Sequence, residues 1–337
     1  MRLLLLGGTE FVGRALTEAA LARGWEVTVF HRGRHPAPPG AVSLLGDRTA
    51  PGGLAALGTS GRNGTSGPGE WDAVVDTWSA APSAVLATAR LLADRAGRYA
   101  YVSSRSVYAE TAPAGCAEGS APVEGASAAA GATSYPRDKR GGELATESVF
   151  GDRALSVRAG LILGPGENVG RLPWWLGRIA RGGPVLAPGP RDNPLQYVDA
   201  RDLATWTLDA VRQGLGGPYN LVSPPGHTTM GELLDTCVRV TGSDAELRWT
   251  DPQTIIEAGV EPWIELPVWL PPGESHDAVH RTDVSKALAT GLRCRPVTET
   301  VADTWAWLGS LGGPAPLRPD RPRVGLSPEV EARLLGG

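Results

Sequence analysis

Tyr135 and Lys139 stand four residues apart in Tyr135-Pro136-Arg137-Asp138-Lys139, a spacing that puts both on one face of a helix. Pro136 suits the first helical turn, so Tyr135 falls at the helix start and Lys139 one turn in. A free phenol titrates near ~10 and is a poor base at neutral pH. An ammonium one turn away favours the phenolate and eases proton release. Of the 32 basic residues only Lys139 and Lys286 are lysines. A lysine kept at this place points to a need for a compact charge rather than a planar fork. The chemistry expected is proton transfer by Tyr135, with Lys139 as its electrostatic partner and as a donor to a cofactor ribose. Ser103 and Ser104 close an apolar run, and a hydroxyl there can hold a substrate oxygen beside Tyr135.

The elements that must position this pair are legible from hydrophobic pattern. Arg2–Leu6 is a short apolar run bounded by glycine, the signature of a buried parallel strand. A helix over 12–23 ends at Gly24, and a second strand follows over 25–30. Further strands are expected at 41–45, 71–77, 99–103 and within 155–163, with helices at 84–96 and 137–149. Strands alternating with helices imply a mostly parallel sheet covered on both faces. Residues 50–70 read as a flexible insertion with at most one weak helix, and 109–133 as a long loop. Beyond Gly164 the content of Pro, Gly and Trp rises, as suits a smaller unit capping the strand ends. Helices are expected there at 203–211, 230–241, 285–290 and 297–308. The tail 312–326 is proline-rich and should wrap the surface, and Ser327-Pro328-Glu329 has the pattern of a helix start.

Gly7-Gly8-Thr9-Glu10-Phe11-Val12-Gly13 lies between the first strand and the first helix. The free N–H groups and positive dipole end of such a helix attract a pyrophosphate. Gly7 permits the turn and Gly13 close helix–strand packing. Glu10 replaces the usual middle glycine, so its side chain is expected to turn outward and leave its backbone facing the cofactor. The second strand runs out into His31-Arg32-Gly33-Arg34, with two arginines and no acid. An acid at this place serves a ribose hydroxyl, whereas a guanidinium can bind a 2′-phosphate. Arg32 and then Arg34 therefore predict NADP(H) over NAD(H), by about tenfold or more in affinity. Asp47, followed by Arg48, could accept from an adenine amino group, and Thr77-Trp78-Ser79 must pass beside the cofactor ribose.

Composition excludes several classes. A net charge of −4 offers no general basic face for nucleic acid. Cys116, Cys237 and Cys294 are scattered, without a CxxC pair, and indicate neither a disulfide framework nor a zinc site. His276 and His280 share a helical spacing but lack a clear third ligand, so no metal is expected. No apolar run approaches a membrane span or continues as a signal peptide, and a cytoplasmic protein without membrane partners is expected.

The stretches LLLLGGTEFVG, EVTVF, GDR, DAVVDT, YVSSRSVYA, YPRDK, VRAGLILGPG and QYVDARDLA, in that order over about the first 210 residues, resemble the extended and atypical short-chain dehydrogenase/reductase family, the NAD-dependent epimerase/dehydratase-like group. The resemblance implies an α/β fold: a Rossmann-type doubly wound parallel sheet with a smaller interleaved C-terminal substrate domain. On that basis residues 1–163, joined by 193–222, are expected to bind the dinucleotide. Residues 164–192 and 223–312 would bind substrate, and 313–337 form the proline-rich tail. It also implies a Ser104/Tyr135/Lys139 triad, the serine lying four residues before Tyr108 of a Val-Tyr pair. The cofactor set implied is Gly7, Thr9, Glu10, Phe11, Val12, Gly13, His31, Arg32, Arg34, Asp47, Arg48, Thr77, Trp78, Ser79, Ser103, Tyr135, Lys139 and Leu161. Ser104, Ser106, Asn168, Arg171 and Trp174 are the substrate candidates.

Two departures bear on substrate. The arginine that grips a substrate diphosphate in nucleotide-sugar members is replaced by Asn193, with Arg191 two residues away. The RxxN stretch after the sixth strand is replaced by Arg158-Ala159-Gly160-Leu161. The first expectation is therefore an NADP(H)-dependent oxidoreductase interconverting a ketone and a secondary alcohol on a small metabolite. The alternative is a nucleotide-sugar or related epimerase/dehydratase with tightly bound cofactor, and a second alternative is a non-catalytic dinucleotide- or RNA-binding relative. Either a monomer or a homodimer is expected.

Overall fold

The computed structural model describes residues 1–59, 71–109 and 113–336. Seven strands form the central sheet: β1 (Arg2–Leu6), β2 (Glu26–His31), β3 (Val42–Leu45), β4 (Ala73–Asp76), β5 (Tyr99–Ser104) and β6 (Ala154–Ala159), then, after the short strands β7 (Ile162–Leu163), β8 (Pro184–Pro188), β9 (Pro194–Leu195) and β10 (Val198–Asp199), β11 (Gly217–Leu221). Their order is β11-β6-β5-β4-β1-β2-β3, and every neighbouring pair is parallel. This is the doubly wound sheet expected, and all its strand ends on one side form a single edge where ligands bind in such folds.

Alternation along β1 explains the two-sided cover. Leu3 and Leu5 pack with Leu16 and Ala20 of α1 (Phe11–Ala22) and with Leu203 and Leu208 further along the chain. Leu4 and Leu6 face the other way, against Leu57 of α2 (Ala55–Thr59), Ala89 and Leu92 of α3 (Pro82–Leu92) and Phe150 at the end of α4 (Tyr135–Phe150). A strand buried on both faces needs the unbroken apolar run that the sequence shows. The first half of the expected 50–70 insertion holds α2, and residues 60–70 lie outside the described residues, as do 110–112 of the long loop.

A second apolar cluster gathers α5 (Arg171–Ala180), through Leu172, Trp175, Leu176 and Ile179, with Leu233, Leu234 and Cys237 of α7 (Met230–Thr241). Between these helices, α6 (Ala200–Gln213) carries the chain back to the sheet, where β11 joins β6. Strand β8 pairs in parallel with β13 (Glu246–Thr250), and the antiparallel pair β9 with β12 (Thr228–Thr229) precedes α7. The chain continues through α8 (Pro252–Glu257), α9 (Glu274–His280), α10 (Ser285–Ala289), α11 (Val297–Ser310) and α12 (Pro328–Leu334). Helix α7 starts with a capping box between Thr229 and Glu232, and α12 is capped by Ser327, as its Ser-Pro-Glu start predicts. Helix α5 and the β8–β13 pair are not among the elements expected, although Leu172, Trp175, Leu176 and Ile179 of α5 stand at helical spacing. The segment around His276 and His280, whose spacing is helical, is helix α9 with both imidazoles buried. No helix among the described residues is long and apolar enough to cross a membrane.

The glycine turn between β1 and α1 is sterically closed. A β-carbon at Gly13 would lie 1.9 Å from the Gly7 carbonyl oxygen, and Gly7 itself has φ +93°. Backbone cannot yield as a flexible side chain would, so Gly13→Ala must push α1 away from β1. Thermal unfolding should show Gly13→Ala destabilised by about 2–3 kcal/mol, with weaker binding of a nicotinamide dinucleotide. An unchanged melting midpoint would mean that the turn is looser than described.

Candidate active site

A cleft of about 910 Å³ opens along the strand ends and contains both the glycine turn and the Tyr135–Lys139 pair. Tyr135 is the first residue of α4, and Pro136 occupies the first turn as expected. Helix α4 approaches β5 closely because it carries glycine on the sheet side: a β-carbon at Gly142 would lie 2.5 Å from the Tyr101 hydroxyl. Lys139, three residues earlier on that face, is thereby sunk to 3 % exposure. Its ammonium donates to the backbone carbonyls of Trp78, at 2.7 Å, and Val102, at 2.6 Å. It lies 6.0 Å from the Tyr135 ring centre and 4.8 Å from that of Tyr101. Burial pulls its pKa from 10.5 down to about 7, and Arg318 and Arg321 push the same way against Asp76 and Glu143.

Ser104 lines the cleft; its hydroxyl accepts from the Ser106 amide at 3.1 Å and donates to the Ser106 hydroxyl at 3.1 Å. Ser103 is turned to a different task. Its hydroxyl donates to Glu143 at 2.7 Å, and Glu143 also accepts a two-pronged contact from Arg158 and one from Arg140. Burial alone would raise the Glu143 carboxyl, but Arg158 and Ser103 hold it below its ordinary value. Arg158, which stands where an RxxN stretch was looked for, is thus a buried brace between β6 and α4, and not a substrate ligand.

The glycine turn supplies Gly7, Thr9, Glu10, Phe11, Val12 and Gly13 to the cleft. The Glu10 carboxylate does not point into open solvent alone: it lies 3.3 Å from His35 and accepts a 3.5 Å contact from Asn168. His35 was not anticipated, because nothing in its spacing marks it. At the end of β2, Arg32 and Arg34 line the cleft and are exposed. Three neighbours assigned to the cofactor, His31, Asp47 and Arg48, also line the cleft and have protein partners as well. His31 is buried, with its ring 2.7 Å from the Ser43 hydroxyl and accepting from the Gly33 amide. Burial lowers its pKa, which keeps it neutral and leaves it as part of the wall. Asp47 caps its own turn, accepting from the Thr49 amide and hydroxyl at 3.0 and 2.6 Å. Arg48 is locked against Asp76 at 2.7 and 2.8 Å, and also donates to Thr88 and the Ala84 carbonyl. That guanidinium is therefore spent on joining β4 to its surroundings. Tyr99 adds a 2.6 Å contact to the same carboxylate. Thr77 donates to the Leu6 and Gly7 carbonyls, fastening the turn, while Trp78, Ser79 and Leu161 complete the walls.

On the opposite side stand Asn168 and Arg171, as expected, together with Trp263. Trp174 is not among the lining residues: it stacks edge-on against Trp175, and its indole lies where a β-carbon on Gly325 would sit. Arg191 pairs with Asp235 outside the cleft, and Asn193 is buried, donating to the Leu270 carbonyl at 3.1 Å. The unexpected contributors are Pro316–Arg321, from the tail expected only to wrap the surface. Repeated arginine among the prolines is the one signal that could have marked them. A second, more open concavity of about 800 Å³ between α5, β8 and α12 holds none of these residues.

The His276 Nε2–H donates to the Pro194 carbonyl at 2.9 Å, and His280 Nδ1 accepts from the Gln196 amide at 3.0 Å. Burial, with His276 and Arg105 nearby, lowers the His280 pKa to about 3. These rings brace the approach to β10. Among the described residues no group of three or more His, Cys, Asp or Glu is placed to hold a metal.

Residues 66–221 match the profile of the NAD dependent epimerase/dehydratase family. This chain carries a domain of that family. The glycine turn lies before the matched stretch, and the Tyr135–Lys139 pair within it. Solved structures share the fold over nearly the whole chain. A putative epimerase from Burkholderia cenocepacia J2315 is 20 % identical, covering 92 % of this chain and 98 % of its own, with a TM-score of 0.66. The Bordetella bronchiseptica enzyme WbmH in complex with NAD+ is 17 % identical, covering 93 % and 99 %, with a TM-score of 0.66. UDP-glucuronic acid 4-epimerase from Bacillus cereus in complex with NAD is 15 % identical, covering 93 % and 100 %, with a TM-score of 0.63. No curated protein matches the chain.

The cost of burying Lys139 can be measured. A depressed amine pKa penalises folding in full below about pH 7. The penalty shrinks above that pH, where the folded-state amine is neutral while the unfolded chain keeps its proton up to about 10.5. Lys139→Met should therefore raise the thermal midpoint at pH 6, with the gain narrowing steadily toward pH 10. A gain independent of pH would show that the amine is not held at this cost.

Proposed function

We propose that this protein is a nicotinamide-dinucleotide enzyme that oxidises a secondary carbinol carbon of a small metabolite transiently, as epimerases and dehydratases do, and returns the hydride before release. The observation that carries the reading is the arrangement of Tyr135, Lys139 and Ser104 on one wall of a cleft that also contains the glycine turn. That turn fits a pyrophosphate: Gly13 leaves room that a β-carbon would fill, and the N-terminal amides of α1 face the cleft. When bound, the dinucleotide supplies a reversible hydride acceptor. Ser104 holds the substrate oxygen, and Tyr135 takes the hydroxyl proton as the carbon–hydrogen pair leaves, then gives it back on the return step. Lys139, already fixed by two carbonyls, orients the ribose and keeps positive charge near the phenol oxygen.

The NAD held by similar structures supports a nicotinamide dinucleotide in general. Arg32 and Arg34, exposed at the end of β2 with no acid on that strand end, support a preference for the 2′-phosphate form. We read residues 1–163 with 193–222 as the dinucleotide half, and 164–192 with 223–312 as the substrate half.

A second reading, a net ketone/alcohol reductase, is favoured by one feature. Arg191 is tied to Asp235 and Asn193 to a backbone carbonyl, so neither is free to grip a substrate diphosphate. Cofactor accounting separates the two. Under the first reading, purified protein retains dinucleotide through gel filtration, and a substrate panel followed by nicotinamide fluorescence gives transient signals without net consumption. Stoichiometric consumption of NADPH would instead establish the second reading. Under either, Tyr135→Phe should lower kcat by about 100-fold or more while leaving dinucleotide binding intact; full activity in that variant would sink both.

A further inference from the structure

The segment joining α11 to α12 crosses the cleft as a strap. The Arg318 amide donates to the Asn168 carbonyl at 2.9 Å and the Gly325 amide to the Ile264 carbonyl at 2.8 Å. Beyond the strap, Leu326 is buried, and Glu331 of α12 accepts from Arg178 at 2.6 Å and from the Leu186 amide at 3.1 Å. The strap is thus pinned at its crossing and again where it rejoins the second core.

This pinning brings Arg321 over Tyr135, with the guanidinium carbon 4.8 Å from the ring centre. Arg171 faces the same space from the first turn of α5, stacked at 5.5 Å on Trp263. Trp263 holds a left-handed backbone conformation, φ +69°, which a bulky residue rarely adopts without being held there. Neither arginine has a carboxylate partner among the described residues. Glu167, the nearest acid to Arg171 in sequence, spends its oxygens on the Arg171 and Leu172 amides at 2.8 and 3.0 Å. The Nε of Arg171 is buried without any hydrogen-bond partner. Two guanidinium groups are therefore gathered beside the reactive phenol; burial lowers the Arg171 pKa, with Glu167 opposing and Arg321 adding to that effect. A buried donor left unmatched costs stability unless something accepts from it.

We infer that Arg171 and the strap residue Arg321 form an anion subsite, and that the substrate carries a carboxylate or phosphate group close to the carbinol carbon handled by Tyr135. Paired guanidinium forks suit the planar or tetrahedral oxyanion of such a group. The inference rests on the proposed substrate position at Tyr135. Its alternative source is the cofactor's own diphosphate, since Arg318, paired with Asp320 at 2.6 Å, lines the same cleft as the glycine turn.

The test uses full-length protein, with malonate and inorganic phosphate as probes and calorimetry as the readout, so that turnover is not required. In protein saturated with NADPH, Arg321→Gln and Arg171→Gln should each weaken binding of the better probe by about tenfold or more, while affinity for NADPH changes by less than about threefold. Arg321→Lys, which keeps charge but not the fork, should give an intermediate loss. A tenfold loss of NADPH affinity with probe binding unchanged would assign the arginines to the cofactor and overturn the inference. Absence of probe binding to the wild-type holoprotein, or equal binding by all variants, would overturn it as well. Tyr135→Phe must retain probe binding, so failure of the catalytic reading leaves a separate signature from failure of this one.

Discussion

Everything at the strand ends depends on an ammonium held inside the protein by carbonyls alone. Lys139 reaches the Trp78 and Val102 carbonyls, and so ties α4 to the tips of β4 and β5 at once. Among the described residues no carboxylate is bonded to it. A buried charge in this setting is costly, and the surrounding structure has to be rigid enough to keep it there. The glycines of α4 let the helix come close, and the Arg158–Glu143 brace holds β6 to the same helix. The phenol one turn away inherits its position from those contacts.

The second half of the molecule completes the cleft from a separate apolar core. Helix α5 presents Arg171 at its first turn, and the strap adds Arg321 and Arg318. Positive charge thus accumulates around the phenol, while the acids of the region are occupied with helix ends and with other arginines. Charges that lie in a low-dielectric cleft act over longer distances than they do on an open surface.

Much of this was legible in the chain. Continuous apolar runs identified the buried strands, and the Gly7-to-Gly13 turn was placed by its context between strand and helix. The four-residue spacing of Tyr135 and Lys139 put both in one cleft, as helical geometry requires. What spacing could not show is how these side chains are held. His31, Asp47 and Arg48 follow strand ends and line the cleft, but each also satisfies protein groups of its own. Asp76 is distant from Arg48 in sequence, so that claim on the guanidinium was invisible. Trp174 likewise looked outward from its position after a turn, and only the return of the tail to α5 shows that its indole is covered. Long-range partners compete for the same side chains, and sequence spacing is blind to them.

The locking of Arg48 to Asp76 has a consequence for how nucleotide preference is built. The inner guanidinium is a structural bolt, and its loss would be felt throughout the sheet. Under the proposed preference, discrimination at the 2′ position falls instead to Arg32 and Arg34, exposed on an open turn. Taste for one dinucleotide or the other is then a superficial trait of this scaffold, free to be rewritten in a lineage or at the bench without disturbing the frame beneath it.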